Sequence, residues 1–247
     1  MRCFAGTDVG RFRKTNQDFP FASAEAVGPL PNLFMVADGM GGHKAGDYAS
    51  RFIVEQVNKN LKELPEGTKP VAALKRAIEQ ANADLYSESL KDPGKEGMGS
   101  TLVAVTMADQ AMYIANVGDS RLYLLRDDLC QVTRDHSLVE EMVAQGKMER
   151  DSEFYRLQKN IITRAMGISP QVRIDFFEVP LMEGDCVLLC SDGLTNMVDD
   201  AGISRILKTT DTLEEKTEAL IHAANENGGK DNIAVVLVEP QISEVRL

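Results

Sequence analysis

Four aspartates each stand where an apolar run meets glycine or a small polar residue. They are Asp38 in FMVADGMGGH, Asp119 in IANVGDSR, Asp192 in VLLCSDG and Asp231 in GGKDNIAVVLV. Apolar runs of this length read as strands buried on at least one face. A carboxylate at a strand end is held on a rigid element and partly desolvated. Four gathered together repel strongly unless positive charge lies between them. A hard divalent cation is the natural filler, because carboxylate oxygens suit Mg, Ca and Mn. Asp18, closing the early stretch TDVGRFRKTNQD, is a fifth candidate.

Each position also has a plainer reading. Asp38 fits a strand-to-helix turn with a helix-capping carboxylate. Gly118-Asp119-Ser120-Arg121 fits a hairpin turn, since Gly-Asp is good turn chemistry. Asp192 and Asp231 each fit a turn or a cap. The glycines after Asp38 let backbone carbonyls approach an ion closely, but no G-K-[ST] follows to cradle a nucleotide. The joint pattern is more demanding, because all these positions lie where central strands meet loops.

The elements that must position them follow from periodicity. Short strands are expected at 3–8 and 19–26, and a buried strand at 33–37 ending at Asp38. A glycine-rich loop from Gly39 to Gly46 leads into a helix carrying Phe52, Ile53, Val57, Leu61 and Leu64 at helical spacing. A second helix spans about 68–90. Strands follow at 101–107, 111–117, 121–126 and 129–133. Their short connectors, Asp109-Gln110, Gly118-Asp119-Ser120 and Asp127-Asp128, imply antiparallel neighbours. Residues 137–145 read as helix and 146–170 as irregular, together a lid-like insertion. Strands return at 172–179 and 186–190, helices at 200–208 and 213–226, and a last strand at 232–239. The class is α+β: two mostly antiparallel sheets flanked by helices, in a four-layer α-β-β-α sandwich with a flap insertion.

The chain has 247 residues, 43% hydrophobic and 26% charged, which suits one globular domain over 1–247. The net charge of -11 and the lack of a long Lys/Arg run argue against nucleic-acid binding. Four cysteines without a C-x-x-C pair, and three histidines, argue against zinc. Cys186 and Cys190 would share one strand face as core thiols. No apolar run approaches a membrane span, and the opening MRCFAGTDVG lacks a signal-peptide stretch. A cytoplasmic monomer is expected.

In sequence order, seven segments carry a resemblance: DVG through Arg13 to NQD at 8–18, VADGMGGH at 36–43, GMGST at 97–101, VGDSR at 117–121, DHS at 135–137, CSDGL at 190–194 and GKDN at 229–232. Together they resemble the metal-dependent serine/threonine protein phosphatases of the type 2C class, in their compact bacterial form. The resemblance runs from about Phe4 to Val238. It implies a signalling hydrolase acting on phosphoserine and phosphothreonine through direct attack by a hydroxide bridging two metal ions, Mn2+ or Mg2+. By resemblance Asp38 bridges both ions and the Gly39 carbonyl ligates one. Asp192 and Asp231 hold the first ion, Asp18 acts through water near the second, and Asp119 matches the ligand of a third, weaker ion. Arg13 is implied to grip the substrate phosphate, and 137–170 is the family's flap.

The physics agrees with that resemblance. A phosphomonoester dianion is repelled by an acidic site unless cations and an arginine reverse the local field. A leaving alkoxide also needs a proton, for which His43, His136 or a metal-bound water are the candidates. Relatives often carry a histidine where Met40 stands, an acidic residue where Gln17 stands, and a His-Pro pair missing from the flap here. The implied partners are phosphorylated proteins, a eukaryote-like Ser/Thr kinase and that kinase's substrates. Rival readings are a non-catalytic phosphatase-like regulatory domain and a phosphatase of small phosphate esters.

Overall fold

The computed structural model describes residues 1–41, 45–150 and 152–241. Among the described residues eleven strands and seven α-helices follow in the order β1 (Arg2–Asp8), β2 (Asp18–Ser23), β3 (Leu33–Met40), α1 (Ala45–Lys62), α2 (Pro70–Lys91), β4 (Gly99–Ser100), β5 (Leu102–Ala108), β6 (Ala111–Val117), β7 (Arg121–Leu125), β8 (Leu129–Gln131), α3 (Leu138–Ala144), α4 (Glu153–Gln158), β9 (Asp175–Pro180), β10 (Cys186–Cys190), α5 (Asp192–Thr195), α6 (Asp200–Leu207), α7 (Leu213–Glu226) and β11 (Ile233–Glu239). One sheet has the order β1-β11-β10-β7-β8 and the other β2-β3-β5-β6-β9, with β4 paired to β3. All the paired strands of both sheets run antiparallel.

Three apolar layers hold the four structural layers together. Phe34, Val36, Val105, Leu189 and Val236 fill the space between the sheets. The alternate residues of β3, Leu33, Met35 and Ala37, face Ile53, Val57, Leu74 and Ile78 of α1 and α2. On the far side Leu188, Val235 and Leu237 face Ile203 of α6 and Leu220 of α7. Period-two alternation in each central strand therefore feeds two cores at once, which is why these strands read as nearly continuous apolar runs. Cys186 and Cys190 share the α6/α7 face, as expected of core thiols.

The expected sandwich stands, with three corrections. β3 continues through Gly39 and Met40, because these pair with Ser100 and Gly99 of the short β4. The loop expected from Gly39 to Gly46 is therefore shorter at both ends, and α1 already begins at Ala45. Second, Gly118-Asp119-Ser120 is not a hairpin turn: β6 and β7 belong to different sheets, and this link crosses between them. Third, the irregular stretch 146–170 contains α4, capped by the Ser152 hydroxyl, which accepts from Tyr155 N–H.

Candidate active site

Antiparallel pairing explains why the acidic positions meet. The start of β2 lies beside the end of β3, so Asp18 pairs directly with Asp38. In the other sheet the end of β10 and the start of β11 are neighbours, with Cys190 opposite Val235. Asp192 lies two residues past that end and Asp231 two residues before that start. Asp119 enters from the β6–β7 link between the sheets. One end of the sandwich thus gathers all five carboxylates.

Their surroundings are dry and mutually repulsive. Burial, then the Asp192 and Asp231 charges, push the Asp18 carboxyl up to about 7, against the Ser191 hydrogen bond. Burial and the charges of Asp18, Asp192, Asp119 and Asp231 hold Asp38 well above the ordinary carboxylate range. Asp119 is pushed up to about 8 by burial, with Asp192 and Asp135 adding to it. Asp192 is pushed up to about 6 by burial and by Asp231. Each is a carboxylate whose charge waits for a partner.

A shell of small polar groups fixes the carboxylates. Ser191 Oγ donates to Asp18 Oδ2 at 2.6 Å and accepts from Ala234 N–H, so it ties β2 to the opposite sheet. Asp38 N–H donates to Thr101 Oγ1, which itself meets Ser120 Oγ at 2.7 Å. Asn196 Nδ2 donates to Asp192 Oδ2 at 2.9 Å. Asn232 reaches the Val9 and Thr15 carbonyls through Nδ2 and accepts from Gln17 N–H, pinning the loop that carries Arg13. These supports escaped the reading of the sequence. Their one visible signal is a hydroxyl or amide residue adjoining each aspartate segment.

Two backbone positions need glycine. A Cβ on Gly39 would lie 1.9 Å from the Gly46 carbonyl oxygen, and one on Gly193 would lie 1.8 Å from that of Asn232. Gly39 thus brings β3 against the first turn of α1, at the edge of the acidic cluster.

Arg13 stands at the edge of the cluster, paired with one of its carboxylates. Its Nη2 donates to Asp231 Oδ2 at 2.8 Å, from a half-exposed position. His136 does not join it. The imidazole is buried, its Nδ1 accepts from Gly118 N–H at 3.0 Å, and its Nε2 faces Asp175 Oδ2 at 3.1 Å. With both nitrogens engaged, it braces the link that carries Asp119 and has no proton free for a ligand. Burial, followed by the Arg164 charge, lowers its pKa despite Asp175. His43 lies outside the described residues.

The donor set suits a hard divalent cation. Every candidate ligand is oxygen, and Asp119 Oδ1 is buried with no hydrogen-bond partner among the described residues. Among the described residues no three His, Cys, Asp or Glu side chains stand close enough together to hold a metal ion between them as they are placed. The oxygen donors, their burial and the Asp119 Oδ1 left without a donor among the described residues are what fit the cluster to a cation.

Comparison with known proteins places this geometry. The family model described as protein phosphatase 2C matches residues 6–237. The serine/threonine phosphatase stp of Listeria innocua is 44% identical over 244 residues, covering 96% of this chain and 95% of that protein. The crystal structure of the serine/threonine phosphatase Stp1 from Staphylococcus aureus superposes with a TM-score of 0.88 at 32% identity, covering 97% of this chain and 95% of that one. The catalytic domain of the serine threonine protein phosphatase PstP, solved in complex with 2 manganese ions, gives a TM-score of 0.83 at 34% identity over 96% of each chain.

Proposed function

This chain belongs to the protein phosphatase 2C family and is a metal-dependent protein phosphatase, and from that premise we propose how its residues share the work. The substrates are phosphoserine and phosphothreonine side chains of proteins. The observation that carries the assignment is the convergence of five carboxylates at one end of the sandwich, four of them with raised pKa.

Asp38, Asp192 and Asp231 hold two divalent ions, manganese or magnesium, with Asp18 and the Gly39 carbonyl beside them. Asp119 serves a third, weaker position. When bound, such ions supply positive charge and make water acidic enough to ionise near neutral pH. Arg13 meets the substrate phosphate at the rim, where its pairing with Asp231 already aims it at the cluster. The sandwich fixes the carboxylates before substrate arrives, so positioning and charge complementarity supply the catalysis. The chain acts as one catalytic domain, with 137–170 as its flap.

The biological setting is likewise our proposal: a monomer in the bacterial cytoplasm, opposing a eukaryote-like Ser/Thr kinase. Among the described residues no helix is long and apolar enough to cross a membrane.

The discriminating experiment compares substrates. Chelator-treated protein is given Mn2+, Mg2+ or no metal, with phosphothreonine peptides, phosphoproteins and small phosphate esters. We expect metal-restored phosphate release, with phosphopeptides or phosphoproteins favoured in kcat/KM. No turnover with any metal would return the chain to a phosphate-binding regulatory domain. A uniform preference for small esters would make it a phosphatase of those esters.

A further inference from the structure

The acidic cluster opens sideways into a cleft beneath the flap. Its throat is lined by Asp119, Asp192, Arg121, Asp135, Tyr155 and Lys159. Four of these, Arg121, Asp135, Tyr155 and Lys159, also line a wider cavity of about 660 Å³ that reaches Arg134 and Phe177. The throat itself is narrow, about 10 Å³, and the room for residues neighbouring a phosphorylated side chain lies in the wider cavity beside it.

The charges of the cleft are mostly spoken for. Asp135 accepts from Arg121 through both carboxylate oxygens. Glu140 accepts from Arg150 and from the Tyr155 hydroxyl. Asp175 is held by Arg164, and Asp200 accepts from the Tyr123 hydroxyl. Lys159, by contrast, makes no ion pair among the described residues. It caps the C-terminal end of α4. The Leu138 N–H bond to the Ile161 carbonyl, at 2.9 Å, fixes the chain beside it against α3. Burial, and then the nearby Arg121 charge, lower its pKa against the opposing pull of Asp192 and Asp135, so this ammonium is partly stripped of water with no carboxylate within ion-pairing distance among the described residues. A half-buried cation in that position is complementary to an incoming anion.

We propose that Lys159 reads an anionic side chain, a carboxylate or a second phosphate, adjoining the target phosphoresidue of the substrate protein. Lys159 is then a specificity-determining residue at the junction of throat and cavity. The proposal rests on the phosphatase reading above.

The test uses the full chain with Mn2+ and phosphothreonine peptides that differ at one flanking position. That position carries Glu, phosphoserine, Gln or Lys, placed on either side of the target. Each kcat/KM is divided by that for p-nitrophenyl phosphate in the same preparation, which removes any general loss of activity. The wild type should favour an anionic neighbour over Gln by about fivefold, expressed in KM. The Glu and phosphoserine arms separate the two sources of negative charge. In Lys159→Gln the ratio should fall to about one, and in Lys159→Glu the Lys peptide should become the better substrate. Without any variant, the wild-type preference should shrink as salt rises. An absent wild-type preference, or one that Lys159→Gln leaves intact, overturns the proposal. If neither peptides nor p-nitrophenyl phosphate are hydrolysed with any metal, the phosphatase reading itself falls.

Discussion

Asp18, Asp119 and Asp192, pushed up to about 7, 8 and 6, make the site sensitive to both protons and metal. The sign follows from linkage. Between pH 4 and the raised values, the folded chain keeps protons that the unfolded chain has lost. Metal-free stability from these groups therefore falls as pH rises through that window. Divalent cations displace the protons and remove the repulsion. Thermal melts at pH 5 and pH 8, with chelator and with Mn2+, should show a metal-dependent rise in Tm that is larger at pH 8. An equal or smaller rise at pH 8 would contradict the assigned repulsion. In the metal-free protein at pH 8, Asp192→Asn should raise Tm by about 5 °C. Arg13 belongs to the same scale. Because it donates to Asp231, Arg13→Ala should raise the KM for a phosphopeptide about tenfold. It should also strengthen Mn2+ binding a fewfold in calorimetry, since Asp231 then loses a competing cation. Abolished metal binding would show that Arg13 organises the site rather than gripping substrate.

Elements deliver these residues through strand ends. Gly39 shows how tightly: its missing Cβ leaves room for the Gly46 carbonyl. Gly39→Ala should lower stability by about 2–3 kcal/mol, measured by urea unfolding of the metal-free protein. A loss below 0.5 kcal/mol would mean that α1 moves aside freely. Much of this layout was legible in the sequence. The apolar runs of β3, β6, β10 and β11 declared themselves, as did the two-residue turn Asp109-Gln110, whose φ values of 50° and 63° suit a tight hairpin. Gly118-Asp119-Ser120 was misread because a short linker looks the same whether it turns within a sheet or crosses between two. Only the partners of β6 and β7 reveal which, and those are set by distant strands. α4 and α5 are too short for periodicity to reveal. Of the site, the carboxylates were visible as strand-end aspartates. Ser191, Thr101, Asn196 and Asn232 were not, because hydroxyls and amides beside loops have many uses. The Ser191–Asp18 and Thr101–Asp38 bonds, and those from Asn232 to the Arg13 loop, join residues far apart in sequence.

At the scale of the whole molecule, the sandwich is a rigid holder for an unfavourable charge cluster. The core between the sheets, from Phe34 and Val36 to Leu189 and Val236, fixes the separation of the strand ends. Asp18 and Ser191 then bond across the two sheets at that end. The chain carries a net charge of -11. Its acidic end therefore attracts a phosphorylated substrate only after cations have reversed the local field. The measurement that tests this most directly pairs Mn2+ calorimetry with phosphothreonine-peptide turnover, for the wild type, Asp38→Ala and Asp192→Ala. The account predicts folded variants that lose Mn2+ affinity at least tenfold and turnover by about a thousandfold. A variant that hydrolyses the peptide at the wild-type rate, or a wild type indifferent to chelation, would contradict it.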